Sequence, residues 1–233
     1  MRMNYRLHYA PDNASLIIRL ALEEIGVPYE TVLVDRRSRA QDTTAYRALN
    51  PAGLIPVLET PSGPIFETAA IGLWLVDQHA KLGPASGTPD RADFLKWLFH
   101  LSNTVHADLR LFFYAPYYVG EDTAAQITLR TQVKSRLAEH LSRLNDAIPM
   151  GCYGGPDASF LDIYTCCMLR WMALYPADQD RCWFQLSKYP SLSRLCARLE
   201  NRESTQHAIL AEGLGMTPFT RPQYTNPPEG SAT

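Results

Sequence analysis

The side chains of this chain that could do chemistry gather at three places. At the start of the first helical pattern, Tyr9, Asn13 and Ser15 bring a phenol, an amide and a hydroxyl into one short span. Donors in the first turn of a helix can converge with exposed main-chain N–H groups on one negatively charged point. Each has a plainer reading: core packing for Tyr9, capping for Asn13, a polar helix-start residue for Ser15. At a later helix start, Glu67 and Thr68 sit where free N–H groups and the helix dipole favour a bound carboxylate. Just upstream, "NPAGLIPVLETPSGPIF" puts Pro56 inside an apolar run that otherwise reads as a strand. Proline cannot donate to a sheet ladder, so it belongs at an edge, a first position or a bulge. His106 is a lone histidine in a long helical pattern, where a structural role competes with a chemical one. Trp171 and Tyr114 read as core residues or as walls of a cleft. Ser159 and Asp162 have the spacing of a capping box and serve folding rather than chemistry.

The five cysteines, at 152, 166, 167, 182 and 196, form no C-x-x-C and show no histidine spacing for zinc, so no metal is expected. With charged residues at 20% and a formal net charge of −2, there is no electrostatic case for nucleic acid or an anionic membrane. The densest basic cluster, Arg36, Arg37 and Arg39, lies in a polar connection and reads as a solvated loop. No apolar run reaches the ~18 residues of a membrane span. Residues 1–10 lack the apolar core of a signal sequence. Together with the odd cysteine count, this makes a reducing, cytoplasmic setting the expectation.

The elements that position these residues change character along the chain. "YRLHYA" reads as a buried strand, "NASLIIRLALEEIG" as a helix capped by Asp12 or Asn13 and stopped by Gly26, and "PYETVLV" as a second strand. A crossover helix between two strands favours parallel pairing. "TTAYRALN" is a short helix, "LIPVLE" and "PIF" a hairpin, and "ETAAIGLWLVDQHA" a closing helix. "LGPASGTP" (82–89) is the linker, and beyond it only helical periods occur. Thr88-Pro89 is expected to start one long helix carrying Phe94, Trp97, Leu98, Leu101, Val105 and Leu109 on one face. "TAAQITLRTQVKSRLAEHLSRLNDAI", "SFLDIYTCCMLRWMALY", "SLSRLCARLENR" and "STQHAILAEG" give four more helices, and the proline-rich segment after Gly215 reads as an extended tail. The expected units are an α/β domain over 1–82, an all-helical domain over 90–215 and a tail over 216–233.

This order, with a proline before the hairpin, resembles the cytosolic glutathione transferase family as far as Gly215. "NPAGLIPVL" is similar to the family's N-P-x-G-x-V-P-x-L segment, "FETAAIGLWL" to its Glu-Ser-x-A-I element, and "SFLDIY" to its Ser-x-x-Asp capping box. "LHYAPDNAS", "TVHADLRLFF" and "DIYTCCMLRW" resemble stretches of the bacterial beta class. Two positions depart from that class: Ala14 stands where it has a cysteine, and Ala107 where a lysine follows the histidine.

The resemblance implies a thioredoxin-like N-terminal domain joined to an all-α C-terminal domain, assembled as a homodimer. It implies glutathione as co-substrate, held by Ile55, Pro56, Glu67 and Thr68. A cis Pro56 would leave the Ile55 main chain free to pair with an extended peptide, and Glu67 and Thr68 would take the γ-glutamyl end. The implied reaction is attack of the glutathione sulfur on a small, apolar electrophile. Alternatives are glutathione-dependent isomerisation or ether cleavage of aromatic compounds, and a non-catalytic binding module. A thiol of pKa ~8.5 needs a shift of about two units, ~2.7 kcal/mol, to be mostly ionised at neutral pH. A helix dipole gives ~0.3–1 kcal/mol and at best ~2, whereas one hydrogen bond to the charged sulfur adds ~1.5–3. A donor near the first helix is therefore required. With no thiol at Ala14, Ser15 is the first candidate, followed by Asn13, Tyr9 and His106.

Overall fold

The computed structural model describes residues 5–150, 155 and 157–232. Cys152 lies outside them. Strand β1 (Tyr5–Tyr9) is followed by helix α1 (Ser15–Ile25) and strand β2 (Tyr29–Leu33). Helix α2 (Thr44–Leu49), strands β3 (Val57–Thr60) and β4 (Gly63–Phe66) and helix α3 (Thr68–His79) complete the first part. The sheet order is β2-β1-β3-β4. β1 runs parallel to β2, and antiparallel pairing joins β1 to β3 and β3 to β4. This is the thioredoxin-like mixed sheet that the βαβ-αββα order implied.

Alternation on β1 sets the layers. Tyr5, Leu7 and Tyr9 share the face covered by α1 and α3, and each is at most 2% exposed. His8 points to the other face and meets Tyr46 of α2 with ring centroids 5.9 Å apart. Helix α1 is apolar on nearly all sides because it is sandwiched: the sheet and α3 lie on one side, and α8 (Phe160–Leu174) and α10 (Glu203–Glu212) on the other.

The second part is helical throughout: α4 (Arg91–His100), α5 (His106–Phe113), α6 (Ala115–Val119), α7 (Thr123–Ala147), α8, α9 (Pro190–Glu200) and α10. The long helix expected after Thr88-Pro89 begins at Arg91 instead, because the Thr88 hydroxyl bonds the Ala85 carbonyl. It is also divided by a π-helical turn, Leu101–Val105, immediately before His106. Such turns recur at functional sites. Helix α8 is the central post. The Ser159–Asp162 capping box forms as expected, and every residue of α8 except Ala173 is buried. The two parts interlock at Gly72 of α3, where a Cβ would lie 1.8 Å from Cζ of Phe160. The Phe160 N–H also bonds the Leu82 carbonyl at 2.8 Å.

The tail contains no helix but is not free. Phe219 is 1% exposed, and the chain runs back across α10 and α8 to the first part. Among the described residues, no helix is long and apolar enough to cross a membrane, and no group of His, Cys, Asp or Glu could hold a metal ion.

Candidate functional site

The open end of the β3–β4 ladder builds the first half of the site. Val57 pairs with Phe66, so the chain entering β3 at Ile55 runs beside the chain leaving β4 at Glu67 and Thr68. The Ile55–Pro56 bond is cis. The Ile55 N–H and C=O bond no described residue. The preceding turn is fixed from within: Asn50 Nδ2 and the Tyr46 hydroxyl both donate to the Leu54 carbonyl, at 2.8 and 2.9 Å. Gly53 closes this turn at φ +65°, and a Cβ there would come within 3.1 Å of the Gln41 carbonyl oxygen. Glu67 adopts φ 70°, which is strained for a residue with a side chain. No side chain caps α3, so its first N–H groups stay open. Thr68 is buried, and its hydroxyl has no partner among the described residues.

Antiparallel pairing of His8 with Val57 brings the end of β1 and the loop into α1 to the same end of the sheet. Two expectations fail here. The Ser15 hydroxyl is wholly buried, donating to the Ala10 carbonyl at 3.0 Å and accepting from the Ala10 N–H at 3.3 Å. It closes the loop on itself and presents no donor to a ligand. Tyr9 lies on the sheet face under α1, with the Arg19 guanidinium 4.6 Å from its ring centroid, and its hydroxyl donates to Glu229 of the tail. Burial and the Glu229 carboxylate push that phenol further up, so it is no acid at neutral pH. Asn13 differs from both: it is half-buried, its Oδ1 accepts from the Ala14 N–H at 2.8 Å, and its Nδ2 has no partner among the described residues. The capping role expected of Asp12 or Asn13 is also absent. Ala14 precedes α1 without a side-chain cap, because Asp12, at φ 49°, turns its carboxylate toward α8.

His106 packs against α8. Its Nδ1 lies 2.8 Å from the Tyr164 hydroxyl, and its ring lies 5.8 Å from that of Trp171. Burial, and then the nearby charge of Glu67, raise the Tyr164 phenol, which places Glu67 within electrostatic reach of the pair. Trp171 Nε1 in turn donates to Asp12 at 3.0 Å. Hydrogen bonds and a ring contact thus run from Tyr164 through His106 and Trp171 to the loop before α1. Tyr114 stands apart at 40% exposure, with Arg110 against its ring.

Burial, helped by the charge of Arg110, pushes His106 down to about 4, so the imidazole is neutral at pH 7. A histidine in the unfolded chain titrates near ~6.5. Between those two values the unfolded state holds more protons, so stability should fall as pH drops from about 6.5 to about 4 and be insensitive to this group above 6.5. Urea midpoints measured from pH 7 to pH 4 for the native chain and His106→Gln test this. The variant should lose part of the acid-side slope, and identical slopes would refute the assignment.

Sequence reasoning missed Arg170, Tyr175 and Glu229 and read Asp12 only as a cap. The available signal was Arg170, the one charge in the run "CCMLRWMAL"; arginine is almost never fully buried unless paired. The tail also forms one wall of a cleft of about 510 Å³, with Arg37, Tyr175, Tyr224 and Asn226 among its lining residues.

Comparison with known proteins agrees with this fold. Residues 14–78 match the model of the glutathione S-transferase N-terminal domain. A curated relative, glutathione S-transferase GST-4.5 of Xanthomonas campestris, is 26% identical over 217 residues, covering 90% of this chain and 99% of its own. The bacterial GST BphK, solved as a ternary complex, superposes with a TM-score of 0.74 at 30% identity, covering 90% of this chain and 100% of that one. A sphingomonad glutathione S-transferase complexed with glutathione gives a TM-score of 0.73 at 28% identity, with coverage of 90% and 100%. Sheet topology, the open helix start beside the Ile55 main chain and these likenesses agree: the chain belongs to the glutathione S-transferase family.

Proposed function

We propose that this protein conjugates the glutathione thiolate to small, apolar electrophiles. The observation that carries the reading is the uncapped start of α3, where free N–H groups and the Thr68 hydroxyl lie beside the unpaired main chain of Ile55. An extended peptide carrying a carboxylate satisfies both sets of groups at once. Ile55 and Pro56 take the cysteinyl backbone, Glu67 and Thr68 the γ-glutamyl end. The sulfur then falls near the start of α1, where the Asn13 amide is the available donor to a thiolate. If the Tyr164 hydroxyl donates to His106 Nδ1, the His106 Nε2–H faces away from it as a second donor. Ala14 offers no thiol, so activation is by hydrogen bonding rather than a mixed disulfide, although the surrounding motifs resemble the beta class.

Thr68→Val keeps the shape of the side chain and removes its hydroxyl. It should weaken glutathione binding by the worth of one hydrogen bond to a charged group, ~1.5–3 kcal/mol, or roughly 10- to 150-fold. Calorimetric titration measures this, and unchanged affinity would remove the carboxylate from this helix start. Net thiol consumption on turnover distinguishes conjugation from isomerisation, which returns the thiol. We further propose that the protein acts as a cytoplasmic homodimer divided into units near 1–82 and 90–215 with a tail to 233. Phe66 and Phe99, 40% and 49% exposed, are apolar surface that a second copy would cover.

A further inference from the structure

Arg170 is completely buried and completely satisfied. Its Nε and one Nη2 hydrogen reach the two Asp12 oxygens at 2.8 and 2.9 Å. Nη1 donates to the Leu214 and Pro218 carbonyls at 3.2 and 3.1 Å, and Nη2 also to the Gln223 carbonyl at 3.0 Å. All five guanidinium hydrogens are therefore used: two on the loop before α1, three on the chain that leaves α10. Asp12 collects two more donors, Trp171 Nε1 at 3.0 Å and the Tyr175 hydroxyl at 2.8 Å. The Asp12 N–H donates to Glu212 at 2.8 Å, and Glu212 is itself held by Arg19 Nε at 2.6 Å. Asp12 is thus held by α8, by Tyr175 just after it and by Glu212 of α10, at the residue immediately before Asn13 and at a positive φ.

We propose that Arg170 is a positioning residue for thiol activation: through Asp12 it sets the orientation of the Asn13 amide, and through three tail carbonyls it makes that setting depend on the docked C-terminal tail. This rests on the glutathione transferase reading, with Asn13 as donor. The demands on Arg170 are ones that lysine cannot meet, since its three donors cannot form the paired carboxylate contact and still reach three carbonyls. Nothing in the glutathione anchor at Ile55, Glu67 and Thr68 touches Arg170, so the effect should fall on activation and not on binding.

The test uses the full chain with Arg170→Lys and, as a milder change, Tyr175→Phe, which removes one donor to Asp12 and leaves Arg170 in place. Arg170→Lys should lower kcat about 10-fold or more with glutathione affinity within about two-fold of native, and raise the pKa of bound glutathione read from thiolate absorbance. Amide exchange at Asn13 and Ala14 should quicken. Tyr175→Phe should move the same quantities in the same direction by less. Folded variants with native kcat, bound-thiol pKa and loop exchange would overturn the proposal; if Arg170→Lys does not fold, Tyr175→Phe decides alone. If the native chain binds no glutathione, the functional reading fails instead. Loop exchange then decides this proposal: faster exchange sustains the positioning role and unchanged exchange removes it.

Discussion

Asn13→Ala is expected to lower turnover of glutathione with a model electrophile by about 10²–10³, the usual cost of deleting one preorganised donor to a developing or fixed negative charge. The argument is one of elimination within a single turn. Ser15 spends its hydroxyl on Ala10, Tyr9 spends its own on Glu229, and Ala14 has none. Only the Asn13 amide is half-exposed with Nδ2 unengaged. The pKa of bound glutathione should rise with the loss of rate, because the same bond stabilises the thiolate in both. Ser15→Ala is the control. It should leave the bound-thiol pKa native and instead lower unfolding stability by ~1–3 kcal/mol, since it removes a buried partner of the Ala10 main chain. If the two variants exchange these phenotypes, the hydroxyl is the activating group and the amide a scaffold.

Arg170→Met should destabilise the protein by ~3–5 kcal/mol, because it leaves the Asp12 carboxylate buried without its counter-ion and three carbonyls without donors. For a chain of this size each kcal/mol moves the melting temperature by roughly 2–4 °C, so scanning calorimetry should find a drop of roughly 6–20 °C. Pairing it with Asp12→Leu should recover part of that loss, as removing both ions of a buried pair costs less than stranding one. A melting temperature within about 2 °C of native for the single variant would mean that water or a local rearrangement satisfies Asp12.

The elements legible in the sequence are those whose determinants are local. The strand–helix–strand start, the hairpin around Pro61-Ser62, the Gly26 stop and the Ser159–Asp162 box are read from residues a few positions apart, and each forms. The cis bond at Pro56 was legible only through the resemblance, since an X–Pro bond is trans by default. What escaped depends on distant partners. Asp12 looks like a helix cap because Asp, Asn and Ser usually are, yet its partner lies 158 residues away. Ser15 looks like a ligand-facing donor until the loop folds its hydroxyl back on Ala10. The π-helical turn at Leu101–Val105 leaves the apolar spacing intact, since Leu101 and Val105 at its two ends and Leu109 beyond it are all buried. The tail was read as extended because its prolines forbid a helix; its docking comes from carbonyls, which no composition records.

Gly72 has a consequence for the geometry of recognition. The Phe160 ring occupies the space where any other residue of α3 would carry a side chain, so α3 and α8 are keyed together like a tongue in a slot. One helix begins at Glu67 and Thr68; the other carries Arg170, which grips the loop before α1. The span between the start of α3 and the Asn13 amide is therefore set by two interlocked rods rather than by a hinge. In the proposed binding mode, a ligand reaching from one to the other meets a ruler, and a peptide with its thiol one atom nearer to or farther from its carboxylate should be misread.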